Sequence, residues 1–353
     1  MDIGIIGGGI NGLCCAWQLA QRGHKVCLYE RKTFMSATSS ASSKLLHGGL
    51  RYLENYEFRL VREALRERDG WLKRVPHLTK PLRLVMPVYK NSRRPKWMIA
   101  AGLFLYDHLA GHSILPKAKK LSVSDLKHRD PMLKTDGLLG GYEFSDGQMD
   151  DYCLGLWVAN QAKNAGAVLN ENTEITAVTK DGQITTKVGE KHEHERLINA
   201  AGPWAVSLLQ QSNLESPFQL DLVRGSHLIL EHPSRQAYLF EVPSERRIFF
   251  VLPWQGKTLL GTTEIRQTIN DPIECSQKER VDLLKSYGCY FPSYTPNVVG
   301  SFSGIRPLIY SSTDSSKATR EYAIHRTGNL FSVFGGKWTT ALALANKVAE
   351  AIR

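Results

Sequence analysis

The chain has 353 residues, 42% of them hydrophobic and 22% charged. This exceeds the roughly 50–200 residues of one compact domain, predicts two lobes and excludes wholesale disorder. The net charge of +11 admits nucleic acid, acidic lipid or an anionic ligand as partner and does not choose among them. Cys14, Cys15, Cys27, Cys153, Cys275 and Cys289 never form Cys-x-x-Cys, so neither a zinc site nor a redox dithiol is signalled, and reduced thiols are expected.

The first residues run straight into a glycine cluster, without a basic leader, an apolar core segment or a small-residue cleavage site, so a cytoplasmic start is expected. Residues 3–6 predict a short buried strand, residues 7–12 a tight turn, 13–21 a helix ending at Gly23, and 25–30 a second strand. Near-continuous apolar runs of this kind open a nucleotide-binding βαβ unit. A helix is expected over 56–75, with Arg and Glu spaced for i,i+4 pairs. From about 80 to 145, Pro, Lys and Arg punctuate short apolar pieces, an excursion into another lobe. The runs 174–178 and 197–201 return to the nucleotide domain. Runs at 226–230, 247–253 and 258–262 predict the sheet of a substrate domain. A strand over 330–334, the pair Gly335-Gly336 and a helix over 339–352 close the chain on the nucleotide side.

Gly7-Gly8-Gly9-Ile10-Asn11-Gly12 fits G-x-G-x-x-G between a strand and a helix, with Glu30 closing the second strand. Gly7 permits the tight turn, Gly9 close approach of a pyrophosphate, and Gly12 packing of helix on strand. The helix N-terminus faces the phosphate charge, and Glu30 is expected to hold a ribose hydroxyl. The spacing does not separate FAD from NAD. An acidic residue at that strand end speaks against the 2′-phosphate of NADP.

The segment Ala37-Thr-Ser-Ser-Ala-Ser-Ser-Lys-Leu-Leu-His-Gly-Gly-Leu-Arg-Tyr-Leu-Glu54 resembles the stretch after the first βαβ unit of FAD-dependent glycerol-3-phosphate dehydrogenases. Further motifs follow in that family's order: Asp146-Gly-Gln-Met-Asp-Asp151, Asn199-Ala-Ala-Gly-Pro-Trp204, Arg224-Gly-Ser-His227, Pro253-Trp254, Gly261-Thr-Thr263, Gly304-Ile-Arg-Pro307, Thr319-Arg-Glu-Tyr322 and Gly335-Gly-Lys-Trp-Thr-Thr340. The resemblance covers essentially the whole chain. Similar family members continue into a C-terminal helical domain that this chain is expected to lack. Glu264 stands where aspartate is usual, and Asp151-Tyr-Cys-Leu154 where Asp-Ala-Arg-Leu is usual.

The resemblance implies a D-amino-acid-oxidase-like α/β fold. Its Rossmann-like FAD-binding domain is expected from residues 1–79, 146–210 and 301–353, with an inserted antiparallel-sheet substrate domain from 80–145 and 211–300. For FAD it implies, besides Gly7, Gly9, Asn11, Gly12, Glu30 and Arg31, a wrapping loop with Thr38, Ser39, Ser43, Lys44, Leu45 and His47. Ala201, Gly202, Gly304, Gly336, Lys337, Trp338 and Thr339 are expected around the flavin ring, and the backbone of Val178 at the adenine. For a phosphorylated alcohol it implies Arg51, Tyr52, Arg306, Arg320 and Lys337, because guanidinium groups suit a phosphate dianion.

The implied reaction turns glycerol 3-phosphate into dihydroxyacetone phosphate, with hydride passing to flavin N5 and electrons on to quinone. His227 is the preferred base, His47 a second histidine near the flavin, and Arg306 a stabiliser of the developing alkoxide. Two alternatives keep the fold: oxidation of an amine, amino acid or hydroxy acid, and a flavin-binding partner or regulator without turnover.

Residues 97–106 form an apolar run about half the ~20 residues needed to cross a bilayer, flanked by Arg93, Arg94, Lys96, Lys117, Lys119 and Lys120. That pattern suits a membrane interface and equally a helix packed on the substrate domain with a solvated basic edge. The expected location is therefore cytoplasmic, with peripheral attachment to the inner face of the cytoplasmic membrane left open. No nucleic-acid motif accompanies the charge, so no nucleic-acid partner is expected.

Overall fold

The computed structural model describes residues 1–243, 245–310 and 322–353. Its nucleotide side is a six-stranded sheet in the order Tyr322–Thr327, Leu330–Gly335, Arg196–Asn199, Asp2–Ile6, Lys25–Tyr29 and Val168–Asn170. Every neighbouring pair is parallel except Tyr322–Thr327 with Leu330–Gly335. Alternation along the strands divides their side chains between two cores. Ile3, Ile5, Leu28 and Ile198 join the helices Ile10–Gln21, Asp151–Asn164 and Ala341–Ala351. Ile6, Tyr29 and Leu197 join Ala205–Gln211 and the small antiparallel sheet of Ile175–Val178, Gln183–Thr186 and Lys191–Glu193. Burial on both faces is why these strands read as continuous apolar runs.

The second sheet has ten strands, running Ile265–Arg266, Leu220–Leu230, Lys257–Gly261, Ile248–Trp254, Ala237–Glu241, Thr79–Tyr89, Leu138–Met149 and Leu45–Leu46. Val298–Ile309 also pairs with Leu220–Leu230, and Lys119–Leu121 with Leu138–Met149. The sheet is antiparallel apart from the contact between Ala237–Glu241 and Thr79–Tyr89. Three expected domain boundaries, 79/80, 145/146 and 300/301, fall inside strands of this sheet. Residues 146–149 pair with 79–82 and residues 301–309 with 220–228, so these pieces lie with the substrate-side sheet, because an unbroken ladder of backbone hydrogen bonds holds each strand together. An aromatic cluster including Tyr238, Phe240, Phe249, Tyr290 and Phe291 fills the space beneath the helix Gln277–Gly288.

Residues 97–106 lie within the helix Lys96–Ala110. Ile99, Leu103 and Tyr106 face inward, while Trp97, Ala101, Phe104 and His108 form the outward stripe. Among the described residues no helix is long and apolar enough to cross a membrane.

Candidate active site

Where the two sheets meet, the described residues enclose a cavity of about 810 Å3, inside the range of about 300–1,000 Å3 usual for ligand clefts. Its nucleotide end is made largely of backbone. Gly7 has φ +111°, and a Cβ there would lie 2.5 Å from the Ala200 carbonyl oxygen. A Cβ on Gly12 would lie 1.9 Å from the Gly7 carbonyl oxygen. Gly12 therefore packs the helix on the turn, off the cavity wall, whereas Gly7, Gly9 and Asn11 line it. The N-cap residue Gly9 has no side chain to cap the helix Ile10–Gln21, and its first turn carries no acidic residue, which leaves its positive end toward the cavity. Glu30 is fixed at the strand end by accepting the Gly8 N–H at 2.6 Å and the Lys32 N–H at 2.9 Å. The Arg31 guanidinium lies 3.8 Å from the Trp204 ring centroid, and both residues are on the wall.

The serine-rich run is a belt that joins every part of the cavity. Ser39 Oγ accepts the Ile10 N–H at 3.0 Å, and Thr38 Oγ1 donates to the Ile305 carbonyl at 2.9 Å. Trp338 Nε1 donates to the Ser39 carbonyl at 3.0 Å, and Thr339 Oγ1 accepts the His47 N–H at 3.2 Å. Thr38, Ser39, Ser43, Leu45, His47, Ala201, Gly202, Gly304, Gly336, Lys337, Trp338 and Thr339 all line the cavity.

Besides Gly12, two expected cofactor contacts are placed elsewhere. Lys44 has φ +60°, which turns its side chain off the wall. Its Nζ donates to Asp151 Oδ1 at 2.6 Å and to the Ser40 carbonyl at 2.7 Å, so its charge is spent on a buried carboxylate. Val178 is also off the wall, and its N–H donates to Ser212 Oγ at 2.9 Å. Thr173, Glu174 and Ile175 line the cavity instead, because the start of that strand, not its end, reaches the opening.

The substrate end is built by two long strands paired side by side. In Leu220–Leu230 and Val298–Ile309, Val223, Gly225 and His227 stand opposite Arg306, Gly304 and Phe302. Strand alternation puts these six on one face; of them Gly225, His227, Phe302, Gly304 and Arg306 line the cavity. The facing glycines leave a notch. A Cβ on Gly225 would lie 2.3 Å from Arg306 Nη2, so the absent side chain lets the guanidinium lie across the strand and donate to Thr262 Oγ1 at 2.7 Å. Arg306 Nη1 and Arg51 Nη1 lie 3.9 and 3.7 Å from the same oxygen of Glu264. Lys337 Nζ sits 3.5 Å from the centroid of the Tyr52 ring. Arg51, Tyr52, Glu264 and Thr262 are on the wall. Arg320 lies outside the described residues.

His227 is 2% exposed. Its Nε2 shares a 2.9 Å hydrogen bond with Ser43 Oγ, and Phe302 stacks on its ring at 4.8 Å. Burial, followed by the charges of Arg306 and Lys44, pushes its pKa down to about 3, so the imidazole is neutral at ordinary pH. Thr262, Phe302 and Gly225 escaped the sequence reading as working residues. Only the strand alternation in Arg224-Gly-Ser-His227 signals that Gly225 and His227 share a face.

These residues fit FAD. Asn11 Oδ1 is enclosed and has no hydrogen-bond partner among the described residues. Gly202 has φ +56°, with open space where a Cβ would stand, and the Glu30 carboxylate is held in place beside the N-terminus of the helix Ile10–Gln21. Among the described residues no group of three or more His, Cys, Asp or Glu could hold a metal.

Comparison with known proteins agrees with that fit. The family model described as FAD dependent oxidoreductase matches residues 2–351. The chain is 39% identical to a glycerol-3-phosphate dehydrogenase of Pseudomonas aeruginosa, over 98% of this chain and 70% of that one. It is 38% identical to the aerobic glycerol-3-phosphate dehydrogenase of Escherichia coli, over 99% of this chain and 72% of the other. It is 37% identical to a D-erythritol 1-phosphate dehydrogenase of Brucella abortus, over 98% and 72%. Among solved structures, glycerol-3-phosphate dehydrogenase from Bacillus halodurans complexed with FAD superposes with a TM-score of 0.79 at 26% identity, over all of this chain and 64% of that one. Glycine oxidase from Geobacillus kaustophilus shares the fold, with a TM-score of 0.78 at 22% identity, over 99% of this chain and 94% of that one. The chain belongs to the FAD dependent oxidoreductase family.

Proposed function

We propose that this enzyme oxidises glycerol 3-phosphate to dihydroxyacetone phosphate, with the six-stranded sheet serving the cofactor and the ten-stranded sheet the substrate. The observation that carries the reading is that Arg51, Arg306 and Lys337 line the same cavity as a buried, neutral histidine, His227. The relatives named for glycerol 3-phosphate at 38–39% identity support it. FAD, when bound, supplies the hydride acceptor. Glu30, the N-terminus of the helix Ile10–Gln21 and the serine-rich belt hold the cofactor.

Arg51 and Arg306 grip the phosphate as fork-shaped donors, and Lys337 adds a point charge. Glu264, between the two guanidinium groups, orients them. The hydroxyl proton passes to His227 Nε2, the nitrogen that Ser43 already addresses, and Arg306 stabilises the developing alkoxide. An imidazole with so low a pKa is a weak base in the empty pocket. Arrival of a phosphate dianion offsets the neighbouring positive charge and raises its basicity. His47, held at its backbone by Thr339, shapes the wall between cofactor and substrate.

The direct test is Arg306→Ala. It is expected to load FAD normally and to need about 30-fold or more glycerol 3-phosphate for half-maximal bleaching of the flavin. An unchanged requirement would remove the phosphate assignment. D-erythritol 1-phosphate belongs in the same titration, given the relative named for it; a clear preference for it would move the reading to longer polyol phosphates.

We further propose that electrons leave for a quinone, and that the enzyme sits peripherally on the inner face of the cytoplasmic membrane. The outward stripe of the helix Lys96–Ala110 exposes Trp97 at 69% and Phe104 at 76%, with Lys117, Lys119 and Lys120 exposed nearby in the chain. Aromatic side chains at headgroup depth with basic flanks suit an anionic bilayer. Replacing Trp97 and Phe104 by alanine is expected to cut co-sedimentation with phosphatidylglycerol vesicles about tenfold; unaltered sedimentation would contradict the docking.

A further inference from the structure

On the face of the Leu220–Leu230 strand turned away from the cavity, a single carboxylate gathers several donors. Glu279, on the helix Gln277–Gly288, is 1% exposed. Its Oε1 accepts from Ser226 Oγ at 2.7 Å and from Thr263 Oγ1 at 2.6 Å. Its Oε2 accepts from Arg224 Nη2 at 2.7 Å, and from the backbone N–H and Oγ of Ser276 at 3.0 and 2.8 Å. The simplest explanation is a capping box with Ser276. That accounts only for the Ser276 contacts, and a capping glutamate has no need to be buried or to take donors from two other segments.

Those two segments hold the substrate end. Ser226 immediately precedes His227 and stands opposite Ser303, to which its Oγ is bonded at 2.8 Å. Thr263 immediately follows Thr262, the partner of Arg306, and precedes Glu264. The two are also tied directly, the Ser226 N–H donating to Thr263 Oγ1 at 2.8 Å. We propose that Glu279 is a positioning residue. From behind the sheet it fixes the strand carrying His227 and the turn carrying Thr262 and Glu264 in one geometry, so that the base and the Arg306 guanidinium meet the same substrate. The inference rests on the substrate reading above. A displacement near 1 Å of such groups costs on the order of a hundredfold in rate, so anchoring at this site affects turnover without touching substrate.

The test uses the FAD-loaded enzyme with Glu279→Gln, and with Thr263→Val and Ser226→Ala in case the first variant does not fold. The expected result is flavin loading within twofold of the parent, with the glycerol 3-phosphate concentration for half-bleaching raised about tenfold or more and the bleaching rate lowered. A second readout is independent of the substrate. Histidine ring-nitrogen NMR should show one neutral tautomer of His227 in the parent, held by Ser43, and averaged tautomers in the variants. Folded, loaded variants with parental bleaching and an unaveraged His227 ring would overturn the proposal. A parent that does not bleach would overturn the substrate reading alone, and the ring signals would still decide the role of Glu279.

Discussion

The two ends of the cavity are built on opposite principles. The nucleotide end works through side chains that are missing: at Gly7 and Gly12 a Cβ would strike backbone, so the chain keeps one path and offers N–H groups to a phosphate. The substrate end works through side chains brought together by pairing. His227, Phe302, Arg306, Thr262 and Ser43 come from four separate stretches; the register of two long strands brings His227, Phe302 and Arg306 to one face, and hydrogen bonds add Ser43 and Thr262. The Gly12 contact is fixed within its own turn and the Gly7 contact by one neighbouring strand, whereas a constellation of charges depends on the whole sheet.

A methyl or larger group introduced at each end breaks the comparison most sharply. Gly12→Val places its Cβ against a carbonyl that cannot move. Its expected outcome is protein without bound flavin, read from the ratio of 450 nm to 280 nm absorbance, and full loading would contradict the backbone account. Gly225→Ala, in contrast, meets only side-chain ends, those of Arg306 and Thr262. It should load flavin normally and weaken glycerol 3-phosphate about tenfold, because the guanidinium loses its hydrogen bond to Thr262; loss of flavin in this variant would show that the two ends are not separable.

The smallest effect is on stability against pH. His227 is buried neutral with its pKa lowered to about 3, so the unfolded chain binds a proton that the folded chain refuses. Its contribution is complete above the ordinary histidine range and is lost as pH falls from about 6.5 toward 3. Glu279 titrates at about 2: burial would raise it, and hydrogen bonds from Thr263, Ser276 and Ser226 outweigh that. Its contribution is present above about 4.5 and is lost between there and 2. Melting temperature should therefore decline in two stages on acidification. His227→Asn should flatten the first, on the order of 2 kcal/mol between pH 6.5 and 4.5; an unchanged first stage would contradict the buried neutral ring.

This division also explains what could be read from the chain. The glycine fingerprint, Glu30 and the serine-rich run are contiguous signals, and the cavity wall holds nearly all of them. Lys44 and Val178 were misplaced because a left-handed φ turned one away from the wall, and because the other ends a strand whose beginning meets the cavity. Glu279 had no local signal, and Thr262 lay within the motif Gly261-Thr-Thr263, which names no role for it. The capping pattern Ser276-x-x-Glu279 announces a helix start and says nothing about a strand some fifty residues earlier whose reverse face the carboxylate holds. The expected boundaries at 79/80, 145/146 and 300/301 cut strands, because the change in composition there does not mark where a ladder ends.

The central claim is that one cavity binds FAD at its backbone-built end and a phosphorylated alcohol at its charged end. An anaerobic absorbance titration of the purified FAD-loaded protein with glycerol 3-phosphate tests it most directly. The account predicts saturable bleaching of the flavin bands. A protein that loads FAD and stays yellow at every concentration of glycerol 3-phosphate would contradict it.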